Sequence, residues 1–232
     1  MLRLNKSNDE PLMLFRLWKY VLLLALKFYI AIIILTFSLV ITKEAIADLS
    51  FEQKLVNAAI FRTTKNIKYD GNYYVIDYPL GDVPKNIGVC TDVIIRSYRS
   101  VGIDLQQEIH EDISKNFHLY PKKWGLKQPN TNIDHRRVPN LEVFFKRFGE
   151  SLSITKNPED YKPGDIVTWN IATWWKKILK NRDVITHIGI VTDRTTVDNI
   201  PIIVHNIGFG TKLNNMLFDY EIIGHYRYNG KN

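Results

Sequence analysis

Among 232 residues there is one cysteine, Cys90, so no intramolecular disulfide can form. No run of Lys and Arg interleaved with aromatics occurs, which argues against a nucleic-acid partner. No cysteine lies beside the long apolar run near the N-terminus, which argues against a bacterial lipoprotein anchor. His110-Glu111-Asp112 has no matching ligand set elsewhere, so a solvated helix face is expected there and neither metal nor cofactor is called for. Internal repeats and low-complexity tracts are absent too. What remains is ordinary for a globular chain: 45% hydrophobic and 24% charged residues, with a formal net charge of +7. The first 47 residues hold six Lys/Arg and three Asp/Glu, leaving a mild +4 for the rest.

Residues 1–47 read as a targeting segment. Arg3, Lys6, Arg16, Lys19 and Lys27 precede an apolar run from Phe28 to Ile41, and Ala45-Ile46-Ala47 offers the small residues a signal peptidase prefers. The rival expectation is a retained anchor over residues 21–41, with Lys27 snorkelling to the interface. Either one places the domain formed by residues 48–232 outside the cytoplasm, in the periplasm or another extracytoplasmic space, with membrane contact only through the leader. In an oxidising compartment an unpaired cysteine is a liability or a reagent, which turns attention to Cys90.

Ser50 can cap a helix whose apolar residues are Phe51, Leu55, Val56, Ala59 and Ile60. A turn-rich stretch (Tyr78-Pro79-Leu80-Gly81-Asp82-Val83-Pro84) leads to Cys90, which opens a helix with Val93, Ile94, Tyr98 and Val101 at helical spacing and Gly102 as its stop. A thiol there sits at the positive end of the macrodipole, which favours thiolate. Residues 104–139 predict short helices and long loops, and Leu141–Phe148 a short amphipathic helix closed by Gly149. After that come β-branched or aromatic runs at 165–169, 187–192, 201–206 and 221–228. Helices first and consecutive strands after imply α+β, with the cysteine-bearing helix against a C-terminal antiparallel sheet.

A cysteine nucleophile needs a base, and the base needs a group to hold its tautomer. His187 heads one expected strand and His205 ends the next, so antiparallel pairing brings both to one end of the sheet. Cys90 would attack, His187 would serve as base and then acid, and His205 would orient His187. His135, Arg136 and Arg137 would clamp a substrate carboxylate or, equally, anchor a loop through Asp134. Tyr78, Asp82, Asp92 and Asn206 complete the candidate substrate contacts. His225 is expected near the sheet end, and Trp174-Trp175-Lys176-Lys177 as an exposed insertion or a packed flap.

Pro163-Gly164-Asp165-Ile166-Val167, Thr186-His187-Ile188-Gly189-Ile190-Val191 and Ile203-Val204-His205 resemble the motifs of the NlpC/P60-type papain-like cell-wall cysteine peptidases. That resemblance implies a papain-like fold with Cys90 as nucleophile, His187 as base and His205 as the third polar residue, and a tyrosine such as Tyr78 in the cleft. More closely, Gly88-Val89-Cys90-Thr91-Asp92, residues 134–141 (Asp-His-Arg-Arg-Val-Pro-Asn-Leu) and Gly224-His225-Tyr226-Arg227 resemble domain-of-unknown-function family 1287, over nearly everything after the leader. Two departures from the superfamily stand out. It usually has Asp before its cysteine and Ser-Gly after, where this chain has Val89 and Thr91-Asp92, and its smaller members have no counterpart of residues 104–139. The expected activity is hydrolysis of an amide bond in peptidoglycan stem peptides or a related envelope substrate. The alternatives are acyl transfer or transpeptidation on the same triad, or a non-catalytic envelope-binding module.

Overall fold

The computed structural model describes residues 10–47, 49–173 and 186–231. The expected tryptophan-rich insertion at 174–177 lies outside them. The chain divides into two units, residues 1–49 and 50–232. The first contains α1 (Glu10–Ala47). Its stretch Leu17–Ser38 is 22 residues of apolar helix with exposed side chains. At 1.5 Å per residue that spans a hydrocarbon core of roughly 30 Å, the length a signal helix or an anchor requires.

The second unit begins with α2 (Phe51–Thr63), capped as expected: Ser50 Oγ accepts the Gln53 N–H at 3.2 Å. Two short parallel strands follow, β1 (Lys68–Tyr69) and β2 (Ile87–Gly88), and β2 runs directly into α3 (Cys90–Ser100). The N-cap position of α3 is Val89, which has no side-chain acceptor. Its backbone N–H instead donates to Asp92 Oδ2 at 2.7 Å, half of a capping box. Every residue of α3 from Cys90 to Tyr98 is buried. The apolar periodicity marked the side facing the sheet; other elements cover the remaining sides. Gly102, at φ +91°, ends the turn after α3.

Residues 104–139 yield α4 (Leu105–Asn116) and a 3-10 turn at Asp134–Arg136. α5 (Val138–Phe148) starts three residues before the expected Leu141, because Pro139 falls in the first turn, where no N–H is required. Six strands make one antiparallel sheet: β3 (Glu150–Ser151), β4 (Ile166–Asn170), β5 (Thr186–Thr195), β6 (Pro201–Asn206), β7 (Thr211–Asn214) and β8 (Glu221–Arg227), in the order β3-β8-β4-β5-β6-β7. Four of these were expected; β3 and β7 were not.

Strand alternation divides the core. Ile166, Ile188, Ile190, Val204 and Tyr226 meet the helices, together with Cys90, Ile94, Tyr98, Leu141 and Phe145. Val167, Trp169, Val191, Ile203 and Ile222 form a second cluster with Tyr161 and Leu217 on the other face. The Pro-Gly-Asp motif has a structural purpose here. Asp165 accepts from the Arg227 guanidinium at 2.8 and 3.1 Å and lies 2.9 Å from His225 Nε2. His225 is buried, stacks on Tyr161 at 4.3 Å and has its Nδ1 3.0 Å from the Ser153 carbonyl oxygen. The sheet is therefore pinned where β8 meets β4. The fold is α+β, helices packed on a C-terminal antiparallel sheet.

Candidate active site

The segment Gly88–Asp92 is held from two sides. On the sheet side, Asn206 Nδ2 donates to the Gly88 carbonyl at 3.1 Å. From the 3-10 turn, the Arg136 guanidinium clasps both Asp92 oxygens at 3.0 Å, and Thr91 Oγ1 donates to the Arg136 carbonyl at 3.2 Å. These contacts fix where α3 begins and so where the sulfur lies.

The Cys90 sulfur is faced by main-chain N–H groups, chief among them that of Ile188, the residue directly after His187. Ile188 has no β6 partner, because β5–β6 pairing ends at Ile190–Val204 in this direction. The thiol thus seats in the seam where two strands part. Its acidity is opposite to the helix-start expectation. Burial pushes the Cys90 thiol up to about 12, and the Asp92 carboxylate adds to the rise; the N–H donors only partly offset it. The macrodipole contributes at most about 2 kcal/mol, whereas full burial shifts a pKa by up to roughly 3–5 units. Burial wins, and the resting sulfur is a neutral thiol.

The two histidines do meet. His187 Nε2 lies 2.9 Å from His205 Nδ1, with the rings edge-on at 5.1 Å. Beyond them, His205 Nε2 lies 3.1 Å from Asn214 Oδ1 on β7. Burial keeps both rings neutral, drawing His187 down to about 3 and lowering His205. The tautomers follow from the donor inventory. Asn214 Oδ1 can only accept, so His205 carries its proton on Nε2. Its Nδ1 is then bare and accepts from His187 Nε2–H, leaving His187 Nδ1 as that ring's basic nitrogen. Gly189 makes room for the pair: a Cβ there would stand 2.6 Å from Ile203 Cγ2 and 3.3 Å from His205 Cβ. Trp169 backs His187 at 6.0 Å. By alternation with Val191 and Ile203 the rings fall on the Trp169 side, while the sulfur meets the strand at its main chain. No hydrogen bond joins thiol to imidazole in this geometry.

Cys90 and Thr186 open onto a cleft of about 370 Å³, lined also by Tyr69, Val89, Trp124, Ile133, Arg136 and Arg137. Of the expected substrate contacts, only the two arginines line it. Tyr78 instead packs edge-on against the His110 ring at 5.0 Å. Asp82 is paired with Arg96 at 2.9 Å and lines a different cavity with Arg62, Lys65 and Lys85. Asp92 and Asn206 are turned inward to hold the Cys90 segment. His135 is buried, its Nδ1 without a hydrogen-bond partner, and burial followed by the Arg136 charge draws it down to about 3. Arg136, besides clasping Asp92, donates to the carbonyls of Asn72 and Asp70. Arg137 lies 4.1 Å above the Trp124 ring. His110 and Asp112 are not a solvated face: His110 meets Asp134 at 3.0 Å, and buried Asp112 receives Arg147, Tyr120 and Asn116. Among the described residues no group of three or more His, Cys, Asp or Glu is placed to hold a metal ion.

Tyr69 and Trp124 in the cleft wall and Asn214 in the relay escaped the sequence reading. Tyr69 stands on a two-residue strand, Trp124 in a loop of turn residues, and Asn214 on a strand too short and polar to register. For Asn214 the available signal was its place between turns, Gly208 and Gly210 before it and Asn215 after.

Comparison with known proteins agrees with this chain's motifs. An uncharacterized protein of Escherichia coli strain K12, YijF, is 44% identical over 187 residues, 81% of this chain and 82% of that one. Two solved structures, NlpC1 and NlpC2 from Trichomonas vaginalis, align over 78% of this chain at 13% and 14% identity, with TM-scores of 0.40 and 0.39. The aligned region spans about half the length of those solved chains, 48% and 49%. The model of the domain of unknown function DUF1287 matches residues 56–228, and the chain belongs to that family.

Proposed function

We propose that this protein is an exported thiol hydrolase that cleaves an amide bond in peptidoglycan stem peptides or a related envelope substrate. The observation that carries the reading is the relay from Asn214 through His205 to His187, which leaves one basic imidazole nitrogen on the residue next to the one whose N–H faces the Cys90 sulfur. The apolar helix at residues 17–38 supports export.

In this mechanism substrate entering the cleft draws the Cys90 side chain towards His187, since catalytic hydrogen bonds commonly tighten only on binding. The sulfur attacks the amide carbonyl as its proton passes to His187 Nδ1. N–H groups at the start of α3 stabilise the oxyanion. His187 then gives the proton to the leaving amine, forming a thioester on Cys90. A water, deprotonated by the same ring, releases the carboxylic acid and restores the thiol. His205 steadies the transient imidazolium, with its own proton held on Asn214.

A second reading, a binding module that keeps the shell of such an enzyme, is favoured by one observation: a buried thiol near 12 with no bond to the imidazole. Incubating the protein with purified sacculi separates the two. New muropeptides from the wild type and none from Cys90→Ala support hydrolysis; identical profiles remove this substrate class and leave the binding module.

A further inference from the structure

The three residues of the expected carboxylate clamp have distinct fates. His135 is neutral and buried. Arg136 commits its Nε and both Nη2 donors to Asp92 and the Asp70 carbonyl, and one Nη1 donor to the Asn72 carbonyl. Arg137 is half-buried in the wall of the cleft that holds Cys90, and among the described residues its guanidinium makes no hydrogen bond or ion pair. The Asp134 carboxylate acts on it through charge alone, its Oδ2 being occupied by His110 at 3.0 Å and by the Asn130 N–H at 2.7 Å. What holds Arg137 is the Trp124 face, 4.1 Å away. Stacking on an aromatic ring orients a guanidinium while leaving its in-plane N–H donors unused. A cation with no hydrogen bond of its own, partly desolvated and pre-oriented in a cleft, fits a planar anion presented edge-on, which is what a carboxylate offers.

We propose that Arg137, laid on Trp124, is the carboxylate receptor of this cleft and selects ligands that carry a free carboxylate about one residue from the carbon that Cys90 attacks. The substrate class narrows accordingly, from amides in general to amides flanked by an unamidated acid. The chemistry at Cys90 is taken from the hydrolase reading, but the receptor is not: Arg137 would bind such an anion whether or not turnover follows.

The test uses two alkylating probes of equal size on the full-length protein at pH 8, N-iodoacetylglycine and its neutral counterpart N-iodoacetylglycinamide. Each places its terminal group one residue from the reactive carbon, and Cys90 is the only thiol. The rate ratio, acid over amide, is referred to the same ratio for N-acetylcysteine. We expect the wild type to favour the acid by about five- to tenfold, the scale of one charge-assisted contact. Arg137→Gln should bring the ratio to that of the free thiol, Arg137→Lys should retain part of it, and Lys85→Gln, in the other cavity, should leave it unchanged. A ratio that Arg137→Gln does not alter overturns the receptor. A Cys90 that neither probe modifies overturns the hydrolase reading, and the receptor is then overturned if N-acetylglycine binds the wild type no more tightly than N-acetylglycinamide does. A ratio that collapses in Arg137→Gln, with sacculi left intact by the wild type, keeps the receptor and sinks the hydrolase.

Discussion

The Nε2 of His187 and the Nδ1 of His205 stand 2.9 Å apart, and the proton between them belongs to His187 because Asn214 claims the other side of His205. Asn214 is thus a positioning residue. Replacing it with Ala frees His205 to exchange tautomers and so to offer His187 a donor instead of an acceptor. Turnover of a hydrolysed substrate should fall by about 10- to 100-fold with the fold intact, less than the loss that attends a wrong tautomer enforced outright. Imidazole nitrogen NMR should show His205 shifting from pure Nε2–H to a mixture, a change that loss of packing alone would not produce.

Alkylation reports the state of the thiol. With burial holding Cys90 at about 12, labelling by iodoacetamide should be slow at pH 7. It should then climb about tenfold per pH unit up to pH 10, in step with thiolate fraction. A plateau already present at pH 6 would instead mean a preformed thiolate–imidazolium pair.

Acid should destabilise the domain through its buried imidazoles. His135 and His187 are drawn down to about 3 by burial, while in the unfolded chain they titrate near the ordinary 6.5. Between those values the unfolded state binds more protons, so stability is complete above about pH 6.5 and is lost as pH falls towards 3. Each histidine accounts for about 2–3 kcal/mol at pH 4.5. Denaturant titrations at pH 7 and 4.5 should show the drop, and His135→Leu should reduce it by one histidine's share.

Arg136 and Asp92 are a buried pair, with side chains only 2% and 5% exposed. Arg136→Met strands the carboxylate beside the start of α3 and should cost about 3–5 kcal/mol in denaturant unfolding. Adding Asp92→Asn should recover part of that loss, because the uncompensated charge goes with it.

Local order was legible where it rests on local chemistry. Ser50 capping α2, Gly102 ending α3 and the four β-branched runs all follow from residue type and spacing. The histidine pair was legible too, since strand polarity alone brings the head of one strand to the tail of the next. What the sequence hid are effects of long-range packing. The acidity of Cys90 depends on how completely β5, β6 and the 3-10 turn enclose it, and helix-start reasoning about one element cannot include that. Asp92 and Arg136 look like surface charges until the fold pairs them. Tyr78 and Asp82 are near Cys90 in sequence, yet the turn carries both away from its cleft, and β1 supplies Tyr69 instead.

Trapping the thioester tests the central claim most directly. The wild type, incubated with soluble muropeptides and quenched in acid, should show by intact-mass and peptide mapping an acyl adduct on Cys90, with matching release of a free amine. Both should be absent in Cys90→Ala. Amine release at an undiminished rate from Cys90→Ala would contradict the account.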